Sequence, residues 1–466
     1  MYLSEQLSER IHSVTRGQLS DAAVNATQVA FVDTVGVTLA GVNEPVVQKL
    51  TSAPGFADSV GTAVVQGTAL RLSALDAVLL NGVAGHALDF DDISNTLGGH
   101  PSVMLTPVIQ AIGDLRPVTG SDAVLAYVVG NETIMQIAHG VQPLHYEKGW
   151  HPTVTLGIFG TVAAAARLLE LTPAQTASAL AHAVSLACGV KANFGSMVKP
   201  LHVGHALRSG LFAVLAAKHG VTARLDAFEA KQGFLDVFNG SGNYDISKIQ
   251  QGWGQPFDLV DPGVGIKQFP CCGSTHAAII CALSLHEQRQ LHLDDVAAIV
   301  IRTNPRRIPH TDIPVPTTLT QAKFSHQYVV ARALLDGAIK ISDFEGKRPF
   351  EPAVTALMKK ITLTEHPEMP ADGENQFAAE VSVTTTDGVI RSHRQDHMVG
   401  RGKENPMSEN ELWAKYSDCA RRSLPEDRVK GSFDLLSTLP ALDDISVINK
   451  LLCVETGRRS DRLRSP

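Results

Sequence analysis

Aromatic side chains make up only 5% of this 466-residue chain, while Ala, Leu and Val dominate long stretches. That balance favours helix packed on helix over an all-β architecture. The six cysteines, Cys188, Cys271, Cys272, Cys281, Cys419 and Cys453, contain no C-x-x-C pair. A small disulfide scaffold is thereby excluded, and a reducing cytoplasm is the expected setting. No stripe of Lys and Arg interleaved with aromatics occurs, and the formal net charge is −7, which excludes a nucleic-acid surface. The opening MYLSEQLSER has an early Glu and no apolar core, and no window holds about 18 uninterrupted apolar residues. The expectation is a chain neither exported nor held in a membrane. No G-x-G-x-x-G follows a strand, and G-x-x-x-x-G-K-[ST], H-E-x-x-H and G-x-S-x-G are all missing. Their absence removes the simplest nucleotide, zinc-protease and serine-hydrolase readings.

What is present is a foldable chain, 44% hydrophobic and 19% charged, too long for one core, so two domains are expected. Helical periodicity runs through DAAVNATQVAFVDTVGVTLAG, ending on Gly41 as a C-cap, and through SALDAVLLNGVAGHALDF toward Asp89. It returns at Ser121 to His139, closed by Gly140, at Leu156 to Glu170, after the cap Thr172-Pro173, and at Gly204 to His219, closed by Gly220. After Asp258 the pattern changes. VAAIVIRTN, KITLT and AAEVSVTTTDGVIRS read as strands, with Asp387-Gly388 as a hairpin turn, and ARALLDGAI reads as a helix among them. From Glu409 to Cys453 the chain is helical again. The expected fold is mainly α: a large helical domain, 1–258 completed by 403–466, with a smaller α+β domain, 259–402, inserted.

Five clusters could carry chemistry. HALDFDDISNTLGGHPS, from His86 to Ser102, crowds three carboxylates and two histidines at a helix end and a Gly-rich turn. Buried carboxylates raise one another's pKa, and a neighbouring His can move a proton near neutral pH; a solvated, Asp-capped helix end is the plain alternative. His151, between Trp150 and Pro152, precedes an apolar helix, where a lone His is more often structural. Lys199, His202, His205 and Arg208 offer donors that suit a carboxylate, or else a cationic face in solvent. Lys267, Cys271, Cys272 and His276 lack the paired spacing of a zinc site, so the cysteines read as packing and no metal is expected. Tyr328, beside His326 on an apolar helical run, reads as a core residue.

These clusters also follow one another in a known order. LDFDD, GGHPS, GWHPT, MVKPLHVGHA, KQFPCCGSTH and SHQYVVARALLDG resemble, over nearly the whole chain, the motifs of the MmgE/PrpD family. A later GRGKENPMS resembles that family's P-x-N-P-[LM]-[ST] stretch, with Lys403 where Pro is common. The family includes 2-methylcitrate dehydratases, cis-aconitate decarboxylases and an iminodisuccinate epimerase. The resemblance therefore implies a helical domain with an α+β lid, a homodimer, no cofactor and a small polycarboxylic acid as substrate.

Carried over motif by motif, the resemblance implies a site of Asp89, His100, His151, Lys199, His202, Lys267 and Tyr328. Lys199, His202 and Lys267 would hold substrate carboxylates. His151 or Lys199 would take the α-proton, Tyr328 or His100 would return it, and Asp89 would orient a His. Ile93 stands where the decarboxylases carry Thr, and the spacing from LDFDD to HPS is a residue longer. The propionate-pathway dehydratases lack the KPLHVGHA form. Epimerisation of iminodisuccinate or a similar substituted succinate is therefore the leading expectation, ahead of dehydration and then decarboxylation.

Overall fold

The computed structural model describes residues 1–288, 293–371, 377–397, 400 and 405–454. The chain divides into two compact units, Met1–Ile266 with the chain from Ser408 on, and Lys267–Met407. Both joints lie a few residues beyond those read from sequence. At the first, Ile93 and Gly265 exchange backbone hydrogen bonds of 2.8 and 2.7 Å, which fastens the preceding segment to the first unit. Residues 401–404, with Lys403 of the late motif, lie outside the described residues.

The first unit is helical. Its central members are the helices Asp21–Gly41, Ala74–Ala87, Gly120–Val141, Gly157–Leu168 and Val198–Lys218. Most are apolar around nearly their whole circumference, as helices enclosed on every side must be. Their starts are written locally. Ser20 and Ser73 accept hydrogen bonds from the third residue after them, and Thr172 does the same ahead of Pro173. Helix Asp21–Gly41 is long and apolar enough to cross a membrane, yet 67% of its apolar window is buried inside this unit. The tail returns as helices Glu409–Ala420 and Ser446–Leu452, whose Leu412, Tyr416 and Leu452 join the same core.

Three glycines read as helix ends have other work. Gly41 and Gly140 lie within their helices, where a Cβ would come within 2.0 Å of the Ala84 carbonyl oxygen and 2.3 Å of Ile249 respectively. Gly204 is the middle of a helix that starts earlier, at Val198, because Pro200 sits in the first turn, where no N–H is needed. A Cβ on Gly204 would stand 2.3 Å from the Leu79 carbonyl oxygen, and one on Gly82 would stand 3.1 Å from Gly204 Cα. Helices Ala74–Ala87 and Val198–Lys218 thus cross backbone to backbone. The end of the first, with His86, and the start of the second, with Lys199 and His202, are set by that crossing. A short ribbon, β1 (Ala63–Val64) with β2 (Arg71–Leu72), was too brief to show as alternation in sequence.

The second unit is built on a four-stranded sheet of β3 (Val296–Thr303), β4 (Ile361–Glu365), β5 (Ala379–Thr385) and β6 (Ile390–Gln395), in the order β4-β3-β5-β6. β3 runs parallel to β4 and antiparallel to β5, with Ile299 opposite Val383 and Ile301 opposite Val381. Those four side chains, with Ile279, Cys281 and Leu285 of helix His276–Glu287, belong to its core. Asp387 closes the β5–β6 hairpin by accepting from Val389 N, and Gly388 supplies φ +84°, as the Asp-Gly pair predicts. β6 is an edge strand with no buried residue, and Arg391 and Arg394 blunt it against strand addition.

Candidate active site

Helix Ala74–Ala87 ends in a turn whose pivot is Asp89, at φ +54°, a left-handed conformation rare for residues other than Gly. The turn sends the three carboxylates of LDFDD to three different partners. Asp89 Oδ1 takes a hydrogen bond of 2.5 Å from Lys199 Nζ and lies 3.6 Å from His100 Nε2. Asp91 faces two imidazoles, His86 Nδ1 at 2.7 Å and His100 Nδ1 at 3.3 Å. Asp92 turns away from both, accepting from the backbone N–H of Ser102 at 3.2 Å and from its hydroxyl, which also meets Tyr127 Oη at 2.5 Å.

His151 joins this group from its place before the short helix Pro152–Thr155, fixed by its N–H donating to the Gly189 carbonyl at 3.1 Å. Its ring centre lies 5.6 Å from those of His86 and His202, and its Nδ1 is 3.4 Å from His202 Nδ1. Phe194 sets its ring edge-on to His151 at 4.8 Å and within 5.2 Å of Lys199 Nζ. The Nε2 atoms of His86 and His151 are buried and have no hydrogen-bond partner among the described residues. Such orphaned groups are uncommon in folded proteins and call for a role.

The electrostatics follow from enclosure. Burial pushes His86 down to about 4, against the pull of Asp91, and pushes His151 down further, with His86 and Lys199 adding to the effect. Both imidazoles are therefore neutral at neutral pH. Burial opposes ionisation of Asp91, but His100 and His86 outweigh it and hold the carboxyl well below its usual range. Asp92 has no cation in its hydrogen bonds, and burial pushes it up to about 8 despite Ser102. One loop thus holds an ionised and a protonated carboxyl on adjacent residues.

Of the residues singled out from sequence, Asp89, His100, His151, Lys199 and His202 are brought together in the first unit. Lys267 and Tyr328 belong to the second. Lys267 is buried there. Tyr328 is fully buried too, its hydroxyl donating to the Asp343 carbonyl and its ring 5.6 Å from Phe344, with burial pushing it up to about 12. His205 is exposed and Arg208 pairs with Asp76 at 3.4 Å, so the second half of the KPLHVGHALR cluster faces other partners.

Sequence reasoning missed His86 and Asp91 as individuals. It gave the His-orienting role to Asp89, whereas Asp91 is the carboxylate directed at two rings. The run LDFDD carried the signal but not the means to sort its members. Also missed was Lys415, buried on helix Glu409–Ala420, which donates to the Phe90 carbonyl at 2.9 Å and pairs with the fully buried Asp33. It braces the middle of the site loop from far along the chain. His86, Asp89 and His100 place three ligand-type atoms within 4.8 Å of one another, a grouping no Cys or His spacing revealed.

The family model described as MmgE/PrpD N-terminal domain matches residues 5–247, and that of the MmgE/PrpD C-terminal domain matches 269–438. The chain is 29% identical over 462 residues to a cis-aconitate decarboxylase of Mus musculus, covering 97% of this chain and 93% of that protein. It is 26% identical over 444 residues to the cis-aconitate decarboxylase of Aspergillus terreus, covering 91% and 90%. It is also 26% identical over 420 residues to a 2-methylcitrate dehydratase of Cupriavidus necator, covering 82% and 83%. Two family models spanning most of its length, together with relatives matched nearly end to end, show that this chain is an enzyme of the MmgE/PrpD family.

Proposed function

We propose that this enzyme is a lyase for a small polycarboxylic acid, working without metal or organic cofactor, and that decarboxylation of a cis-aconitate-type substrate is its reaction. The observation that carries the reading is the enclosed cluster itself: a Lys199–Asp89 ion pair, a neutral His151 with an open Nε2, and His100 held between Asp89 and Asp91. Loss of carbon dioxide leaves an electron pair on carbon beside the remaining carboxylates. That charge must be stabilised and then quenched by a proton. Lys199, released from Asp89 toward the substrate, supplies fixed positive charge in a dry setting, where such charge acts most strongly. His151 and His100 are the candidates to carry the proton. Lys267 and His202 are assigned to carboxylate binding from their family motifs.

The relatives named are decarboxylases and a dehydratase, which favours lyase chemistry over the epimerisation expected from sequence. The longer and closer match to the decarboxylases orders the two lyase readings. Dehydration is the second reading, because a neutral His151 is also suited to remove an α-proton while a β-hydroxyl departs. The proposal extends to a homodimer in a reducing cytoplasm, which six cysteines without a C-x-x-C pair suit. The deciding experiment offers purified enzyme cis-aconitate, 2-methylcitrate and single enantiomers of substituted succinates in deuterated water. Carbon dioxide from the first is the expected result. An ultraviolet-absorbing alkene from the second would transfer the assignment to dehydration, and deuterium with inversion in the third would restore epimerisation. Activity destroyed by EDTA and recovered with zinc would refute the cofactor-free mechanism.

A further inference from the structure

We propose that His86, Asp89 and His100 form a latent binding site for one divalent transition-metal ion, Zn²⁺ or Co²⁺, whose place Lys199 fills in the resting protein. Four observations meet here. First, the three ligand-type atoms lie within 4.8 Å of one another, and His100 Nε2 stands 3.6 Å from Asp89 Oδ1. Two ligands on a tetrahedral zinc at 2.0–2.1 Å are about 3.4 Å apart, so little movement is required of that pair. Second, Asp91 faces Nδ1 of both rings, at 2.7 Å for His86 and 3.3 Å for His100. A carboxylate behind a histidine is the arrangement that fixes a metal-binding imidazole and raises its basicity. Third, His86 Nε2 is buried without a hydrogen-bond partner among the described residues while its Nδ1 faces Asp91 at 2.7 Å, so the Nε2 side of the ring is the one left for a ligand. Fourth, Asp89 already holds a cation, the Lys199 ammonium at 2.5 Å.

Two imidazoles and one carboxylate select borderline ions such as Zn²⁺ and Co²⁺ over Mg²⁺, which demands oxygen ligands. Lys199 is then the element that keeps the site empty of metal. Its charge repels an incoming dication, and its hydrogen bond takes the Asp89 oxygen the ion would use. The inference concerns binding and stands apart from which reaction the enzyme performs, because it is read without turnover.

The test uses the full chain, freed of metal by chelation, with Co²⁺ followed by its visible absorption and Zn²⁺ by calorimetry. Lys199→Met should bind one ion per chain at least tenfold more tightly than the wild type, with a Co²⁺ spectrum of nitrogen and oxygen ligation, and Mg²⁺ should not compete. Adding His86→Gln to Lys199→Met should weaken binding by tenfold or more. If that double variant does not fold, as judged by its thermal midpoint, His100→Gln in the same background makes the same comparison. A Lys199→Met variant that binds no more tightly than wild type would overturn the proposal. Undiminished binding in the double variant would do so as well, by placing the ion on other histidines.

Discussion

In Lys267–Met407, the buried Arg332 donates to Asp336 at 3.0 Å, Glu351 at 2.9 Å and the Arg348 carbonyl at 2.6 Å, while Arg348 reaches Asp336 and Asp343, both at 3.0 Å. Burial works against the Arg332 charge, but these carboxylates outweigh it and raise the group, and Arg332 in turn lowers Glu351. In the first unit the balance is reversed. Burial wins at His86, His151 and Asp92, leaving all three neutral, and the Nε2 atoms of His86 and His151 have no hydrogen-bond partner among the described residues. The Arg332 network answers each charge with an opposite charge, whereas the cluster of the first unit keeps neutral groups that can take up or release a proton. That difference, more than the number of charged groups, separates the catalytic candidate from the architectural network.

The comparison can be broken most forcefully at Lys415, which is buried yet architectural. Lys415→Met leaves the fully buried Asp33 without its cation and should lower unfolding free energy by about 3–5 kcal/mol. Adding Asp33→Asn should recover much of this in denaturant melts. A Lys415→Met protein as stable as wild type would show that the pair contributes little. Next in size, His151→Gln should reduce kcat/KM by about 10² or more with little change in thermal midpoint. Arg332→Met should do the opposite, lowering the midpoint by several degrees, since it removes three hydrogen bonds from a buried guanidinium, two to carboxylates and one to a carbonyl. Both variants losing stability and activity in parallel would erase the distinction.

Asp92 gives a smaller, pH-dependent effect. Its carboxyl titrates at about 8 in the fold against 3.8 as the ordinary value. The native state therefore retains a proton that the unfolded chain loses. This contribution is complete below pH 3.8 and is lost as pH rises toward 8. Asp92→Asn keeps a neutral side chain at every pH, so its midpoint relative to wild type should climb between those limits. A difference that stays flat with pH would mean Asp92 is ionised in the fold. The smallest effect is expected at the half-buried Cys272, where Ala should keep activity within about twofold, in contrast to Lys267→Met.

Much of the fold was legible because local rules agree with it. Ser20, Ser73 and Thr172 mark helix starts by hydrogen bonds that reach only three residues, and Asp387-Gly388 bends a hairpin through its own backbone preference. Gly41, Gly140 and Gly204 misled for the converse reason. A glycine kept for a close helix crossing looks, in sequence, like one that marks a helix end.

The sequence by itself determined the two kinds of architecture, the sites of most helices and strands, and the motifs that tie the chain to its family. It also determined which side chains are available for chemistry, since Asp89, His100, His151, Lys199 and His202 all stand in those motifs. Only the tertiary structure decided how they share the work. Residues 86, 91, 100, 151 and 199 meet because two helices cross at Gly82 and Gly204, and because one residue past the first helix takes a left-handed turn. That geometry gives Asp91 two imidazoles, Asp89 an ammonium and Asp92 only neutral hydrogen bonds. Three identical side chains in one short run thereby acquire three different environments, because pKa and partner depend on burial and distance, and neither is encoded in spacing along a strand of sequence.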